Sequence, residues 1–254
     1  MFSARESTGG YVTEVKNSVR VAADDSIYTG RSLHTLPHRI RVHQVIQELR
    51  RIIPKDVSYA DVGCGGGSIT HRIAEAIQPT KAVGYDSNSE LIEAAGRLFP
   101  KLSFRVWNVT VGDAPDATYD LVTCLETLEH IEDYQTALTN LLRITSGTLL
   151  ITVPIELGLL GAAKFSAKAL LGRKPLGEEH AGSRWDYFKT VLSNGDISRF
   201  RAHSNNGFFV SHTGFDYRKI DNFLKSSGVE FVARNRGWNR FYRISAQAGN
   251  TVAS

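Results

Sequence analysis

The run DVGCGGG occupies residues 61–67 and has the residue types best suited to binding a ligand. Apolar residues precede it at 57–60 and a helical pattern follows at 68–77, so it predicts a strand, a glycine-rich turn and a helix. Glycine permits positive φ and close backbone approach, and the first N–H groups of the helix point toward the same ligand. Four glycines within 63–67 are more than an ordinary tight turn requires.

The spacing of these glycines argues against two common nucleotide sites. It does not match G-x-G-x-x-G, and no Gly-Lys-Ser/Thr follows to form a phosphate-binding loop. Asp61 stands directly before the glycines, which suits a ligand that carries positive charge better than a pyrophosphate.

A second group of chemically capable residues comprises Glu126, Glu129 and His130. If a helix or turn begins at Glu126, the three side chains share one face, because they stand at i, i+3 and i+4. Two carboxylates and an imidazole can hold a divalent metal, and an imidazole can also act as a general base near neutral pH. A polar pocket lining without a metal is the alternative interpretation.

Composition predicts a cytoplasmic globular protein. The 254 residues carry a net charge of +4 with a pI of about 9.1, too weakly basic to indicate nucleic-acid binding alone. The opening residues lack the apolar core of a secretory signal, and no uncharged stretch is long enough to span a bilayer. The two cysteines, Cys64 and Cys124, fall in predicted core segments, as expected for reduced thiols.

Apolar periodicity predicts alternating strands and helices. The predicted strands cover 57–62, 81–86, 102–108, 119–125 and 147–153, and the predicted helices cover 37–53, 67–77, 88–98, 133–144 and 215–227. This alternation indicates an α/β fold with a doubly wound, mostly parallel sheet. The last two strands, 229–234 and 240–247, have only a turn between them and are expected to form an antiparallel hairpin.

Three regions are expected along the chain. Residues 1–36 form an N-terminal arm, residues 37–254 form the main domain, and residues 155–212 within it form a helical lid or insertion. Aromatic residues at 185–188, together with His180, either line an acceptor pocket or belong to the core.

The first helix of the insertion is predicted at 156–171. Its apolar side is expected to pack on the domain, and Glu156, Lys164 and Lys168 mark the other side. The residues of the apolar side are Leu157, Leu160, Phe165, Leu170 and Leu171. Alternatively, an apolar stripe with lysines suits peripheral contact with an anionic membrane.

The glycine turn and the positions that end the following strands resemble class I S-adenosylmethionine-dependent methyltransferases. The segment at 61–65 is similar to the family motif D/E-x-G-x-G, Asp86 stands where the family has an acid, and Asn108 where it usually has Asp. The run YDLV at 119–122 resembles the fourth-strand motif. The resemblance implies a Rossmann-like sheet that binds S-adenosylmethionine through Asp61, Gly63, Cys64, Gly65, Asp86, Asn108 and Leu125.

The E-x-x-E-H run is similar to that of ubiquinone-biosynthesis O-methyltransferases and small-RNA 2′-O-methyltransferases, where it binds a metal. In the second group a further histidine precedes the last helix, and His212 stands at the matching place. The resemblance implies a site for Mn, Zn, Fe or Mg whose ligands are Glu126, Glu129, His130 and His212.

The expected function is methylation of a hydroxyl on a small-molecule or glycan acceptor, with or without a metal, with His130 and Glu129 as catalytic residues. An RNA 2′-O-methyltransferase and a non-catalytic nucleoside-binding protein are the alternatives, and an NAD-dependent dehydrogenase is disfavoured by the glycine spacing. The absence of a dense basic tract argues against nucleic acid. The sequence leaves the acceptor and the oligomeric state open.

Overall fold

A computed structural model describes residues 36–111, 114–170, 182–201, 204, 207–209 and 211–246. Its helices are α1 (Leu36–Ile52), α2 (Ser68–Ile77), α3 (Ser89–Leu98), α4 (Tyr134–Arg143), α5 (Gly158–Leu170), α6 (Arg184–Leu192) and α7 (Arg218–Ser226). Its strands are β1 (Ser58–Val62), β2 (Lys81–Asp86), β3 (Ser103–Val106), β4 (Tyr119–Leu125), β5 (Thr145–Pro154), β6 (Phe231–Arg236) and β7 (Asn239–Ser245). Nearly all of the predicted N-terminal arm lies outside the described residues.

The seven described strands form one sheet in the order β3-β2-β1-β4-β5-β7-β6. Strand β1 pairs in parallel with β2 and β4, and β2 pairs in parallel with β3. Strand β7 pairs antiparallel with β5 and β6. Gly237 makes the turn between β6 and β7 with a φ of 58°, a conformation that favours glycine. The predicted Rossmann-like sheet with a C-terminal antiparallel hairpin is confirmed.

The chain divides into two compact units. The first comprises the residues up to Val109 together with Tyr119–Thr123. Strands β1 and β2 lie at its centre. Consecutive residues of each strand are buried, which indicates that both faces of the sheet are covered. Buried tyrosine hydroxyls keep hydrogen-bond partners here, since those of Tyr85 and Tyr119 lie 2.7 Å apart.

The second unit comprises Thr110–Thr118 and the chain from Cys124 onward, with β5 as its most buried strand. Helix α4 begins where the Asp133 side chain accepts a hydrogen bond from the Thr136 backbone N–H at 3.1 Å. Helix α7 buries Ile220 and Leu224 and directs Asp221 toward β7. Side chains of both helices thus complete the core beside the sheet.

The insertion has a small core of its own within the second unit. The buried residues of this core are Leu157, Ala162, Tyr187, Val191, Ile197 and Phe200. The predicted insertion therefore contains two packed helices, α5 and α6, while residues 171–181 and His180 among them lie outside the described ranges.

The predicted sides of the helix at 156–171 are confirmed in part, since Leu157 and Phe165 pack in the core of the insertion. Lys164 lies inward, with its ammonium 3.1 Å from Oε1 of Glu156, a carboxylate that is only 6% exposed. Leu160 and Leu170, in contrast, are 40% and 88% exposed. The prediction is wrong for Glu156 and Lys164, because a buried carboxylate requires a nearby cation and the apolar pattern does not report that requirement.

Replacing Gly161 with alanine is expected to destabilise the insertion. A Cβ at Gly161 would lie 2.3 Å from the Glu156 carbonyl oxygen and 2.9 Å from a Val191 methyl carbon, so the helices would have to separate. Overpacking of this kind costs about 1–3 kcal/mol, and urea unfolding would measure it.

Gly96→Ala in α3 is the matched control for this prediction. A Cβ there would meet no atom within 4 Å, so the change should stabilise the helix by about 0.5–1 kcal/mol. If both variants shift the free energy of unfolding equally, the close packing at Gly161 is not important.

Candidate functional site

The turn between β1 and α2 contains three glycines in the left-handed region. Gly63, Gly65 and Gly67 have φ values of 78°, 52° and 81°. A Cβ at Gly65 would meet no atom within 4 Å, whereas one at Gly67 would lie 2.7 Å from the Phe104 ring. Gly65 therefore leaves room for a ligand beside the backbone, and Gly67 is required for packing.

Asp86 ties the end of β2 to this turn. Its Oδ2 accepts a hydrogen bond from the Gly65 N–H at 2.8 Å, and its Oδ1 accepts one from the Asn88 N–H at 2.9 Å. The Asn88 side chain then caps α3 by accepting from two backbone N–H groups. This carboxylate therefore sets the shape of the glycine turn while remaining partly exposed.

Asn108 lies beyond the end of β3, two residues later than the strand itself extends. The Trp107 N–H donates to the Asp86 carbonyl at 2.9 Å, which keeps this segment beside β2. Cys64 is buried within the turn, and its backbone N–H donates to the Tyr85 carbonyl at 3.0 Å. These predicted cofactor residues thus share the edge where β1 and β2 end.

Asp61 is buried and holds the base of the turn. Its two carboxylate oxygens accept hydrogen bonds from the Thr70 hydroxyl at 2.6 Å and the Thr123 hydroxyl at 2.7 Å. Because Thr123 donates its proton to Asp61, the Tyr59 hydroxyl donates to Thr123. The carboxylate therefore joins α2, β1 and β4, and its direct contribution to ligand binding stays a prediction.

The Asp61 pKa predicts a pH-dependent stability. Burial raises this pKa from 3.8 to about 6, although the Thr70 and Thr123 hydrogen bonds oppose the rise. Since the folded protein binds the proton more tightly than the unfolded chain, its stability falls as pH rises through this interval. The loss is roughly 3 kcal/mol for a shift of this size.

Urea unfolding of wild type and Asp61→Asn across this pH interval would measure the loss. The difference between their free energies of unfolding should shift in favour of the asparagine variant as pH rises. Thr70→Val should increase the total loss and extend it to higher pH, because the hydroxyl of Thr70 lowers the Asp61 pKa. A pH-independent difference between wild type and Asp61→Asn would contradict the prediction.

The segment after β4 does not form the predicted helical face. Glu126 has a φ of 53°, and only Leu128–His130 form a short 3-10 turn, so Glu126, Glu129 and His130 do not share an α-helical surface. The Glu126 N–H donates to the Thr152 carbonyl at 2.9 Å, and its Oε1 accepts from the Asn239 amide. These bonds hold a residue in the left-handed region, a strain that tends to occur at functional sites. Leu125, just before it, is buried at the end of β4.

His130 is held in a defined tautomer. Its Nδ1 lies 2.9 Å from the Phe209 carbonyl oxygen, which can only accept, so Nδ1 carries the proton and donates. In the neutral ring, Nε2 therefore keeps its lone pair and can take a proton from another group. The Phe209 N–H in turn donates to the His130 carbonyl at 2.7 Å, which fixes the backbone of both segments.

Arg201 supports the same segment and was missed in the sequence. Its guanidinium donates to the Glu129 carbonyl and stacks over the Phe209 ring at 3.6 Å. Burial lowers the pKa of Arg201 to about 10, although Glu129, Glu132 and Glu156 oppose this. The Glu129 side chain is itself 1% exposed. A lone arginine in a polar stretch carries no periodic signal, so only the fold could reveal this role.

His212 lies near His130 but is directed at Glu156. The two imidazole centroids are 6.5 Å apart and the rings are nearly perpendicular. The Nε2 of His212 lies 3.3 Å from Oε1 of Glu156. Burial lowers the pKa of His212 to about 4, against the opposing attraction of Glu156, so the ring is neutral near pH 7.

Glu156 gathers three side chains around one buried carboxylate. Besides His212, it accepts hydrogen bonds from the Lys164 ammonium at 3.1 Å and from the Tyr187 hydroxyl. Burial acts to raise the pKa of Glu156, but Lys164, His212 and Tyr187 together hold it below its ordinary value. We call these four side chains the Glu156 cluster. Glu156 stands two residues after the end of β5, a position that could have marked it as a candidate.

The four predicted metal ligands are not assembled into a metal site. Within the described ranges, no group of three or more His, Cys, Asp or Glu side chains is arranged to hold a metal ion. The Glu126 carboxylate accepts a hydrogen bond from the Asn239 amide. The His212 imidazole lies beside the Glu156 carboxylate. The residues present therefore do not fit a resident metal in this arrangement.

Tyr187 and Phe188, predicted as either pocket or core, belong to the core of the insertion. Tyr187 is buried, and Phe188 packs against that core beside Phe165.

None of the helices in the described part of the chain has both the length and the hydrophobicity that crossing a bilayer requires.

A family model described as a methyltransferase domain matches residues 60–146. Those residues begin in β1 and end in β5, so they include the glycine turn, Asp86 and His130 but not the insertion.

Curated relatives match the same part of the chain. The ubiquinone biosynthesis O-methyltransferase of Rickettsia typhi is 32% identical over 117 residues, which is 44% of this chain and 46% of the relative. The protein of that name from Vibrio cholerae is 33% identical over 109 residues, covering 41% of this chain and 42% of the relative. The chain spans less than half the length of these relatives.

Solved structures share the fold across most of the chain. Magnesium protoporphyrin IX methyltransferase from Synechocystis PCC 6803, with bound SAH, has a TM-score of 0.57 at 16% identity, covering 94% of this chain and all of that one. The CurJ carbon methyltransferase has a TM-score of 0.56 at 12% identity, covering 91% of this chain and 59% of that one. At such identities these structures support the fold alone.

Proposed function

The chain belongs to the class I S-adenosylmethionine-dependent methyltransferases, and we propose that it transfers a methyl group from S-adenosylmethionine to an acceptor molecule. The observation that carries this proposal is the glycine turn, in which Gly65 opens to free space and Asp86 binds its N–H. The turn lies at the carboxyl end of β1, where α/β sheets bind their ligands.

The residues of this turn suit the donor chemically. Each Asp86 oxygen accepts one backbone N–H and keeps a lone pair that can accept a ribose hydroxyl. Gly63, Gly65 and Cys64 would contact the donor through the backbone, and the Asn108 amide can accept from an adenine amine. S-adenosylmethionine supplies a methyl group that is already activated on a sulfonium, so the chain mainly has to position and shield it.

We propose further that the acceptor atom is a hydroxyl oxygen. A neutral hydroxyl is a poor nucleophile and needs a base, and His130 offers Nε2 because its Nδ1 proton is donated to Phe209. Glu129 and Arg201 would keep this histidine segment in place. The curated relatives named as O-methyltransferases support the same chemistry. A small molecule or a glycan is the acceptor class that we favour.

The test of this function is a comparison of donor binding followed by product identification. Calorimetry should show that the chain binds S-adenosylmethionine and not NAD. Incubation with methyl-labelled donor and a fractionated metabolite extract should then yield a methyl ether that mass spectrometry identifies. If the label moves only to carbon or nitrogen, the hydroxyl proposal fails. If it moves to a ribose hydroxyl of added RNA, the proposed acceptor class is wrong. If the donor does not bind, the methyltransferase proposal fails.

Methyl transfer is expected to survive exhaustive chelation, because Glu126, Glu129, His130 and His212 do not assemble a metal site in the described structure. The measurement is the rate of labelled product formation before and after chelation. Separate additions of Mn²⁺, Zn²⁺, Fe²⁺ and Mg²⁺ serve as controls. If activity is lost and one ion restores it, transfer requires a metal and this prediction is wrong.

A further inference from the structure

The outward face of α5 carries no charged residue and has a leucine near each end. Residues at helical spacing on this face are all exposed, and none is charged: Leu159, Ala163, Ser166, Ala167 and Leu170. A helix on the surface of a globular protein ordinarily presents its charges to water and its leucines to the core. On α5 the lysines lie at the border or inward, with Lys164 bonded to Glu156.

Helix α6 extends this apolar surface. Trp185 is 72% exposed, and its ring stands edge-on to Phe188 at 6.3 Å. Phe188 contacts Phe165 of α5 at 5.4 Å, so aromatic rings connect the two helices. Leu192 is exposed at the end of α6. We call the exposed residues Leu159, Leu160, Leu170, Trp185 and Leu192 the α5–α6 apolar surface.

The charges near this surface are mainly positive. Helix α5 has two lysines and no acidic residue, and α6 exposes Arg184 and Lys189 with Asp186 as its acidic residue. The whole chain has a net charge of +4. A second copy placed against this surface would bring the same cations together, which is unfavourable. An anionic partner with an apolar interior would instead satisfy both the leucines and the cations.

We propose that the α5–α6 apolar surface docks on an anionic lipid bilayer. The leucines and Trp185 enter the boundary between headgroups and acyl chains, where tryptophan is favourable, and the flanking cations contact the phosphates. The contact is peripheral, along the plane of the membrane. It does not depend on methyl transfer, so its test is separate from that of the proposed function.

Vesicle sedimentation with the full chain tests this docking. The chain should sediment with vesicles of phosphatidylcholine mixed with phosphatidylglycerol, and much less with phosphatidylcholine alone. High salt should weaken the binding, because the electrostatic part is screened. The affinity of the double variant Leu159→Ser, Leu170→Ser for the anionic vesicles should fall by about tenfold or more. The reason is that the serine side chains no longer bury apolar surface in the bilayer.

Leu98→Ser is the matched control, because Leu98 is an exposed leucine on α3 in the other unit. It should bind vesicles as wild type does, and all variants should keep their circular dichroism because the changed side chains are exposed. Equal vesicle binding by the double variant, equal binding to neutral vesicles, or no vesicle binding would overturn the proposal. Light scattering that shows a dimer dissociated by the double variant, without vesicle binding, would assign the surface to a second copy.

Discussion

Asp86→Asn is expected to weaken S-adenosylmethionine binding by about 10- to 100-fold, the range for losing a hydrogen bond to a charged group. The carboxylate accepts from both the Gly65 and the Asn88 N–H groups. An amide cannot accept at both positions, so its NH₂ would face one of these donors. The turn would open, and a ribose hydroxyl would lose its charged acceptor. Isothermal titration calorimetry would measure the change in Kd.

Asp120→Asn provides the matched control for donor binding. Asp120 also accepts from a backbone N–H, that of Ser58 at 2.9 Å, but it lies at the beginning of β4 rather than at the glycine turn. This variant should bind the donor as wild type does. If the two variants weakened binding equally, the effect would come from general destabilisation and Asp86 would have no special role.

His130→Asn is expected to reduce turnover by about a hundredfold to ten-thousandfold, the usual contribution of a general base, with donor Kd unchanged. The asparagine amide can still donate to the Phe209 carbonyl in place of Nδ1, but it has no basic nitrogen at the position of Nε2. Initial rates of product formation would measure turnover, and calorimetry would measure the donor Kd, so the two quantities can be compared separately.

His43→Asn serves as the control for this prediction, since His43 is exposed on α1 and contacts Gln47 within the same helix. It should change neither turnover nor donor binding. Full turnover by His130→Asn would show that the histidine only joins two segments of the chain. Loss of donor binding in that variant would point to a disturbed fold instead.

The fold was predictable because its determinants are local and periodic. Strand β2 and strand β4 were predicted with the bounds that the structure has, since their apolar runs end at polar residues. The hairpin of β6 and β7 followed from two strands separated only by a turn around Gly237. Helix α7 was predicted three residues too early, because the turn at 215–217 continues the same apolar spacing.

The candidate site was less predictable because it depends on contacts between distant segments. Local spacing would put Glu126, Glu129 and His130 on one face if a helix or turn began at Glu126. Hydrogen bonds to Thr152 and Asn239 instead hold Glu126 in a left-handed conformation. The Arg201 interaction with Glu129 joins residues far apart in sequence. The orientation of α5 depends on one buried carboxylate, which no hydrophobic pattern reports.

The Glu156 cluster makes the position of α5 and the protonation of His212 thermodynamically linked. Burial lowers the His212 pKa, and the nearby Lys164 lowers it further. The contribution of Lys164 depends on α5 remaining packed against Glu156. Anything that holds α5 in place therefore favours the neutral imidazole, and by reciprocity acidification favours release of the helix. A binding event on the outer surface of α5 would thus be felt as a change in proton affinity at a histidine inside the protein.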